Sequence, residues 1–88
     1  MDVNSSRRLR SKKLGDKIYI EWIDAFTEDS WTTIDAAMEL ADKSRCRTNA
    51  LFVGVKDDFV IVSHTQGYGK QDIMGTLNIP KSWIKLVK

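Results

Sequence analysis

Few side chains in this chain could carry chemistry, and each stands nearly alone. His64 is the single histidine, so a proton shuttle near neutral pH would have to run through it. It lies between Ser63 and Thr65 in a stretch that alternates as a strand does, which turns its imidazole to the face opposite both hydroxyls. Adjacency therefore builds no nucleophile–base pair, and a histidine at a strand rim suits ligand contact better than catalysis. Cys46 is the single cysteine, flanked by Arg45 and Arg47. No internal disulfide can form, one Cys and one His are too few ligands for zinc, and the residue reads as a small apolar group at a strand start. The carboxylate pairs Glu28-Asp29 and Asp57-Asp58 fall in expected turns, where water leaves neither member with a catalytic pKa. These types and spacings predict no catalytic residue, no metal and no cofactor, and so a noncatalytic protein.

Binding chemistry is better represented. Gly67-Tyr68-Gly69-Lys70 sets an aromatic ring between two glycines with a cation beside it. A phosphate loop would need a longer glycine-lysine-hydroxyl pattern opening a helix, whereas this run precedes a strand. It reads as an exposed hairpin loop, and Tyr68, Lys70 and His64 are the candidate contacts for a ligand or partner. A second candidate surface is the N-terminal run, in which Arg7, Arg8, Arg10, Lys12 and Lys13 face Asp2 alone, a net of +4 within a total of +2. Residues 14–88 then carry −2, so attraction for a polyanion is assigned to the tail, with these five cations as nucleic-acid contacts. Residues 1–15 are polar and lack apolar periodicity, which predicts a disordered basic tail.

The elements that must position these groups follow from residue period. Ile18, Ile20 and Trp22 alternate with Lys17, Tyr19 and Glu21, predicting a first strand over 17–26 with a bulge or bend near Asp24. After Glu28-Asp29-Ser30, the residues Trp31, Ile34, Met38 and Ala41 recur at helical spacing, and Thr32 or Thr33 can cap a helix over 33–43 whose solvated face holds Asp35, Glu39 and Asp42. Two runs over 48–55 and 59–65, joined by Lys56-Asp57-Asp58, form a hairpin. A loop over 66–72 and a strand over 73–79 follow. The expected core is Ile18, Ile20, Trp22, Phe52, Val60, Val62, Leu77, Ile79, Ile84 and Leu86.

The chain's end reads as strand, tight turn, strand, because Pro80 closes the alternation of Leu77 and Ile79 and Ile84 with Leu86 resumes it. That ending resembles the finish of small five-stranded SH3-like and Sm-like barrels. The expected fold is therefore mainly β with one helix: a single five-stranded SH3-like or Sm-like barrel over 16–88, the helix lying between its first and second strands. With 88 residues such a domain buries only about 60–65% of the surface its unfolded chain exposes, so oligomer contacts would help it. No apolar run approaches the roughly 20 residues needed to span a bilayer, and the first residues lack the apolar core of a signal peptide, which predicts a cytoplasmic protein that does not engage a membrane.

Trp22-Ile23-Asp24-Ala25, Trp31, Ile34-Asp35-Ala36-Ala37, Val53-Gly54-Val55, Phe59-Val60-Ile61-Val62-Ser63 and Ile79-Pro80-Lys81-Ser82-Trp83-Ile84 together resemble a class of short uncharacterised phage and prophage proteins. The resemblance spans most of the body and omits the basic tail. It implies a virus-derived accessory protein in the host cytoplasm and carries over no catalytic residue. Three functions are then expected, in this order: a binding module for a host or phage protein, a nucleic-acid binder acting through its tail, or an oligomer that holds a small nucleotide between subunits to blunt host defence. An exposed apolar patch, a continuous basic surface and an intersubunit pocket respectively distinguish them.

Overall fold

The computed structural model describes residues 1–88 apart from Phe26, Glu28 and Lys70. Its elements are α1 (Val3–Ser11), β1 (Lys17–Ile23), α2 (Ile34–Glu39) continuing as a 3₁₀ turn (Leu40–Ser44), β2 (Arg45–Lys56), β3 (Phe59–Gln66), β4 (Ile73–Pro80), a 3₁₀ turn (Lys81–Trp83) and β5 (Ile84–Val87). All five strands join one antiparallel sheet in the order β4-β3-β2-β1-β5. The mainly β architecture, the helix between the first two strands and the strand–turn–strand ending match the expectation. In this sheet β4 and β5 are the two edges.

Alternation along β1 and β3 places Ile18, Ile20, Val60 and Val62 inside with Phe52, Ile79 and Ile84. Three expected core positions differ. Leu86 gives way to Val87, because the β1–β5 register shifts between Glu21 and Trp22: Ile84 lies opposite Trp22 and Val87 opposite Ile20, which turns Leu86 to the face of Glu21. Leu77 pairs with Val62 but is exposed, while Ile79 on the same face of β4 is fully buried, so the apolar cover ends between these two positions. Trp22 is half-buried against the core, stacks on Trp83 at 6.4 Å between ring centroids, and donates its indole N–H to Thr48 Oγ1 at 2.9 Å. The irregularity expected near Asp24 is this earlier shift, and β1 ends at Ile23; Phe26 lies outside the described residues.

The expected disordered tail is instead a helix, which corrects the reading of residues 1–15. Asp2 caps it by accepting the Ser5 N–H at 2.7 Å, and Arg8 and Arg10 occupy the last turn, where the helix dipole favours cations. Ser5 and Leu9, four residues apart and hence on one face, are the two buried residues of α1. Leu9 joins the core. Ser5 Oγ accepts the Val87 N–H at 3.0 Å and Arg8 Nη1 donates to the Val87 carbonyl at 3.2 Å. Val87 directs both groups away from β1, because its neighbours Leu86 and Lys88 supply the pairing with that strand. The helix thus satisfies a stretch of sheet edge that would otherwise stand open. Asp2 is held below the usual carboxylate range, first by the Ser5 N–H and then by the Ser5 hydroxyl.

Candidate functional site

Two regions of the molecule hold features that the core does not require. The first is the excursion between β1 and β2. Its base is closed by the Asp24 N–H donating to the Ser44 carbonyl at 2.8 Å, and from there the chain runs out as an arm carrying α2 and its 3₁₀ continuation. Thr33 caps α2 by accepting the Ala36 N–H at 3.1 Å, one of the two caps expected. The two segments span 34–44, close to the helix expected at 33–43. What differs is the apolar stripe. Trp31 is 102% exposed, Ile34 80% and Met38 74%, so the residues at helical spacing face water and not the sheet. No residue of α2 or of the 3₁₀ turn is buried. A short helix of low length cannot hold itself by propensity alone and ordinarily gains stability by packing an amphipathic face. Here the face is left exposed and is covered by none of the described residues.

The arm also concentrates negative charge. From residue 24 to 44 stand Asp24, Glu28, Asp29, Asp35, Glu39 and Asp42 against Lys43 alone, a net of −5, which leaves +7 on the rest of a chain whose total is +2. The earlier division into a basic tail and an acidic body is therefore corrected: the acidity belongs to the arm, and α1 together with the sheet forms one basic unit. At the arm's return to the sheet, the ion pair of Asp42 with Arg45 at 3.5 Å joins two highly exposed side chains and contributes little.

The second region is a cleft of about 440 Å³ at one end of the sheet, lined by Lys12, Lys17, Tyr19, Asn49, His64 and Lys88 over an apolar floor. It exists because β2 and β3 separate. Their ladder runs from Lys56–Phe59 to Leu51–Ser63; before Leu51, β2 pairs with β1, while β3 past Ser63 pairs with β4. Asn49 and His64 border the resulting gap. His64 Nδ1 lies 2.7 Å from Thr65 Oγ1, so the imidazole reaches a neighbouring hydroxyl that strand alternation was expected to turn away, and its ring packs on Gly75, where an added Cβ would overlap the imidazole. Gly75 has φ +70°, so both its backbone and its missing side chain serve this contact. Lys12 Nζ donates to the Lys17 carbonyl at 2.9 Å, and Lys88 Nζ stands 5.8 Å from the centre of the Tyr19 ring. The Tyr19 hydroxyl donates to Glu21 Oε1 at 2.6 Å, and that bond, with partial burial and the Glu21 charge, raises it above the usual phenol range. Ser63, opposite the cleft residue Leu51, is buried with a hydroxyl that finds no partner among the described residues.

Each candidate residue has a definite place. His64 lines the cleft, and so does Lys12, while Arg7, Arg10 and Lys13 are exposed on or just after α1. Arg8 donates one guanidinium N–H to the Val87 carbonyl and keeps its charge and its other donors. Tyr68 is fully exposed at its loop tip, beside Gly69 at φ +65°, in a shallow depression apart from the lysine cleft; Lys70 lies outside the described residues. Tyr68 and His64 are thus not brought into one pocket. Lys17 and Asn49 were missed, because nothing in their local sequence marks them and only strand pairing brings them beside Lys88. Cys46 is half-buried, its thiol 3.5 Å from the Ser44 carbonyl. Among the described residues no cluster of three or more His, Cys, Asp or Glu could hold a metal, and no helix is long and apolar enough to cross a membrane.

Comparison with protein-family models, curated proteins and solved structures returns no match to this chain.

Proposed function

We propose that the chain is a noncatalytic accessory module of the phage type, an SH3-like or Sm-like barrel acting in the host cytoplasm, whose task is to engage a host or phage protein through the arm. The observation that carries this reading is the bare stripe of Trp31, Ile34 and Met38. Exposed large apolar side chains close together in one segment are a recurring mark of protein contact surfaces. Ile34 and Met38, four residues apart, share one face of α2, the spacing by which an amphipathic helix fills a partner's groove, and Trp31 stands on the non-helical backbone just before the Thr33 cap. Trp and Met suit the role, the first as a large rigid anchor and the second as an adaptable one. The acidic residues around the stripe favour a groove with a basic rim, and they would slow approach to nucleic acid from this side.

The test is affinity capture with the intact chain and with Ile34→Asp, with and without nuclease. Ile34 is 80% exposed, so the variant should melt within a degree or two of the parent. The expected result is a nuclease-resistant protein partner captured by the parent and lost with the variant. Equal capture by both proteins, or capture abolished by nuclease, would refute the arm as the contact surface.

A further inference from the structure

The cleft at the end of the sheet is independent of the arm, and its chemistry is of another kind. We infer that it is a binding site for a compact polyphosphate anion, free or carried on a nucleotide. Three lysines line it with Asn49, Tyr19 and His64, and no Asp or Glu is among the described lining residues; Glu21 stands beside it and accepts the Tyr19 hydroxyl at 2.6 Å. Of the neighbouring depressions, one sets Glu21 among Arg45, Arg47 and Lys85, and another sets Asp24 beside Lys85. The cations of the cleft come from separate segments, the end of α1, the start of β1 and the end of β5, so their convergence is a product of the fold and not of a basic run.

Three like charges gathered in one cleft repel one another, and an anion placed among them relieves that repulsion while accepting charge-assisted hydrogen bonds. Two of the groups are already held. Lys12 is anchored through the Lys17 carbonyl with further ammonium protons to donate, and the His64 ring is fixed between Thr65 Oγ1 and Gly75. Holding donors in place reduces the ordering cost of binding. A cleft of about 440 Å³ falls in the range of small-ligand sites, and three ammonium groups match an anion with several phosphoryl charges better than a single carboxylate. The Tyr19 and His64 rings offer contact to a base where the anion is part of a nucleotide.

Calorimetry and amide chemical-shift titration of the full chain at low ionic strength test this, using inorganic tripolyphosphate, a nucleoside triphosphate and a single-stranded oligonucleotide as probes. Saturable binding of tripolyphosphate or of the nucleotide is expected, with shifts concentrated at Lys17, Asn49, His64 and Lys88. Equal affinity for the two would identify the phosphoryl chain as the ligand, and tighter nucleotide binding would add the base. Lys17→Gln combined with Lys88→Gln should weaken binding by about tenfold or more, the scale of one lost charge-assisted hydrogen bond, with an unchanged melting midpoint. Lys17→Arg combined with Lys88→Arg should restore much of it. Absence of saturable binding to either small anion, shifts spread evenly over Arg7, Arg10 and Lys81, or binding of the oligonucleotide alone would overturn the inference. Ile34→Asp should leave this binding intact, so failure here and failure of the arm are separately visible.

Discussion

Leu9→Ala tests the N-terminal helix directly. Leu9 is 6% exposed and is the one side chain that α1 contributes to the apolar core, where it packs in the cluster with Ile18, Ile20 and Val87. Truncating a buried leucine removes its transfer free energy and leaves a cavity, and at a position near the rim of a small core the cost should be about 2 to 3 kcal/mol. Unfolding entropy near the midpoint is about 2.1 cal/mol/K per residue, so a chain of this size changes stability by about 0.18 kcal/mol per degree. The melting midpoint should therefore fall by about 11 to 16 °C. The assay is thermal unfolding by circular dichroism, with hydrogen exchange at Ser6 and Leu9 as a local probe and Arg7→Ala, an exposed neighbour on the same helix, as the control. Loss of Leu9 should also weaken the clasp on Val87, raising exchange at the Val87 amide that donates to Ser5 Oγ. If Leu9→Ala melts within 2 °C of the parent while Arg7→Ala does the same, residues 1–15 contribute no packing and the mobile-tail expectation is restored.

Two further outcomes follow from the same geometry. Because the folded-state pKa of Asp2 lies below its ordinary value of 3.8, its contribution to α1 is fully present above that value and is lost as pH falls through the folded one; Asp2→Asn should flatten the acid limb of a pH-stability profile below about pH 4, and an unchanged limb would remove the capping argument. Gly75→Ala places a methyl group in the space of the His64 ring at a backbone with φ +70°, so it should displace His64, lower the melting midpoint and weaken anion binding together; a variant that keeps both midpoint and affinity would show that the ring does not depend on that glycine.

The strands were legible because one of their faces is buried, and burial of one face writes a period of two into the sequence. Ile18 and Ile20, or Val60 and Val62, could hardly be read otherwise. The register shift beside Trp22 left no such trace. A bulge is a property of two strands in contact, so the exchange of Leu86 for Val87 could be found only once β5 lay beside β1. The helix α1 was hidden for a related reason. It is held by one leucine, one serine and an arginine acting on the free backbone groups of Val87, and the serine and arginine look in isolation like the content of a solvated tail.

The candidate sites fared according to the same distinction between local and assembled features. The stripe of Trp31, Ile34 and Met38 was visible as a period, but a period states only that a face is apolar, and the usual inference is that the chain itself covers it. The fold instead turns the stripe to water and draws five net negative charges out with it. This separation changes the electrostatic argument. Summed along the sequence beyond the tail, the body looked acidic and unsuited to an anion; divided at the Asp24–Ser44 closure, α1 and the sheet carry +7 and the arm −5. Screening at physiological ionic strength limits such fields to about 8 Å, so a charge on the arm counts at the lysine cleft only if the two lie within that reach. None of the arm's described residues lines the cleft. The division of charge thus gives the two proposed surfaces opposite preferences, a basic-rimmed groove for the arm and an anion for the cleft.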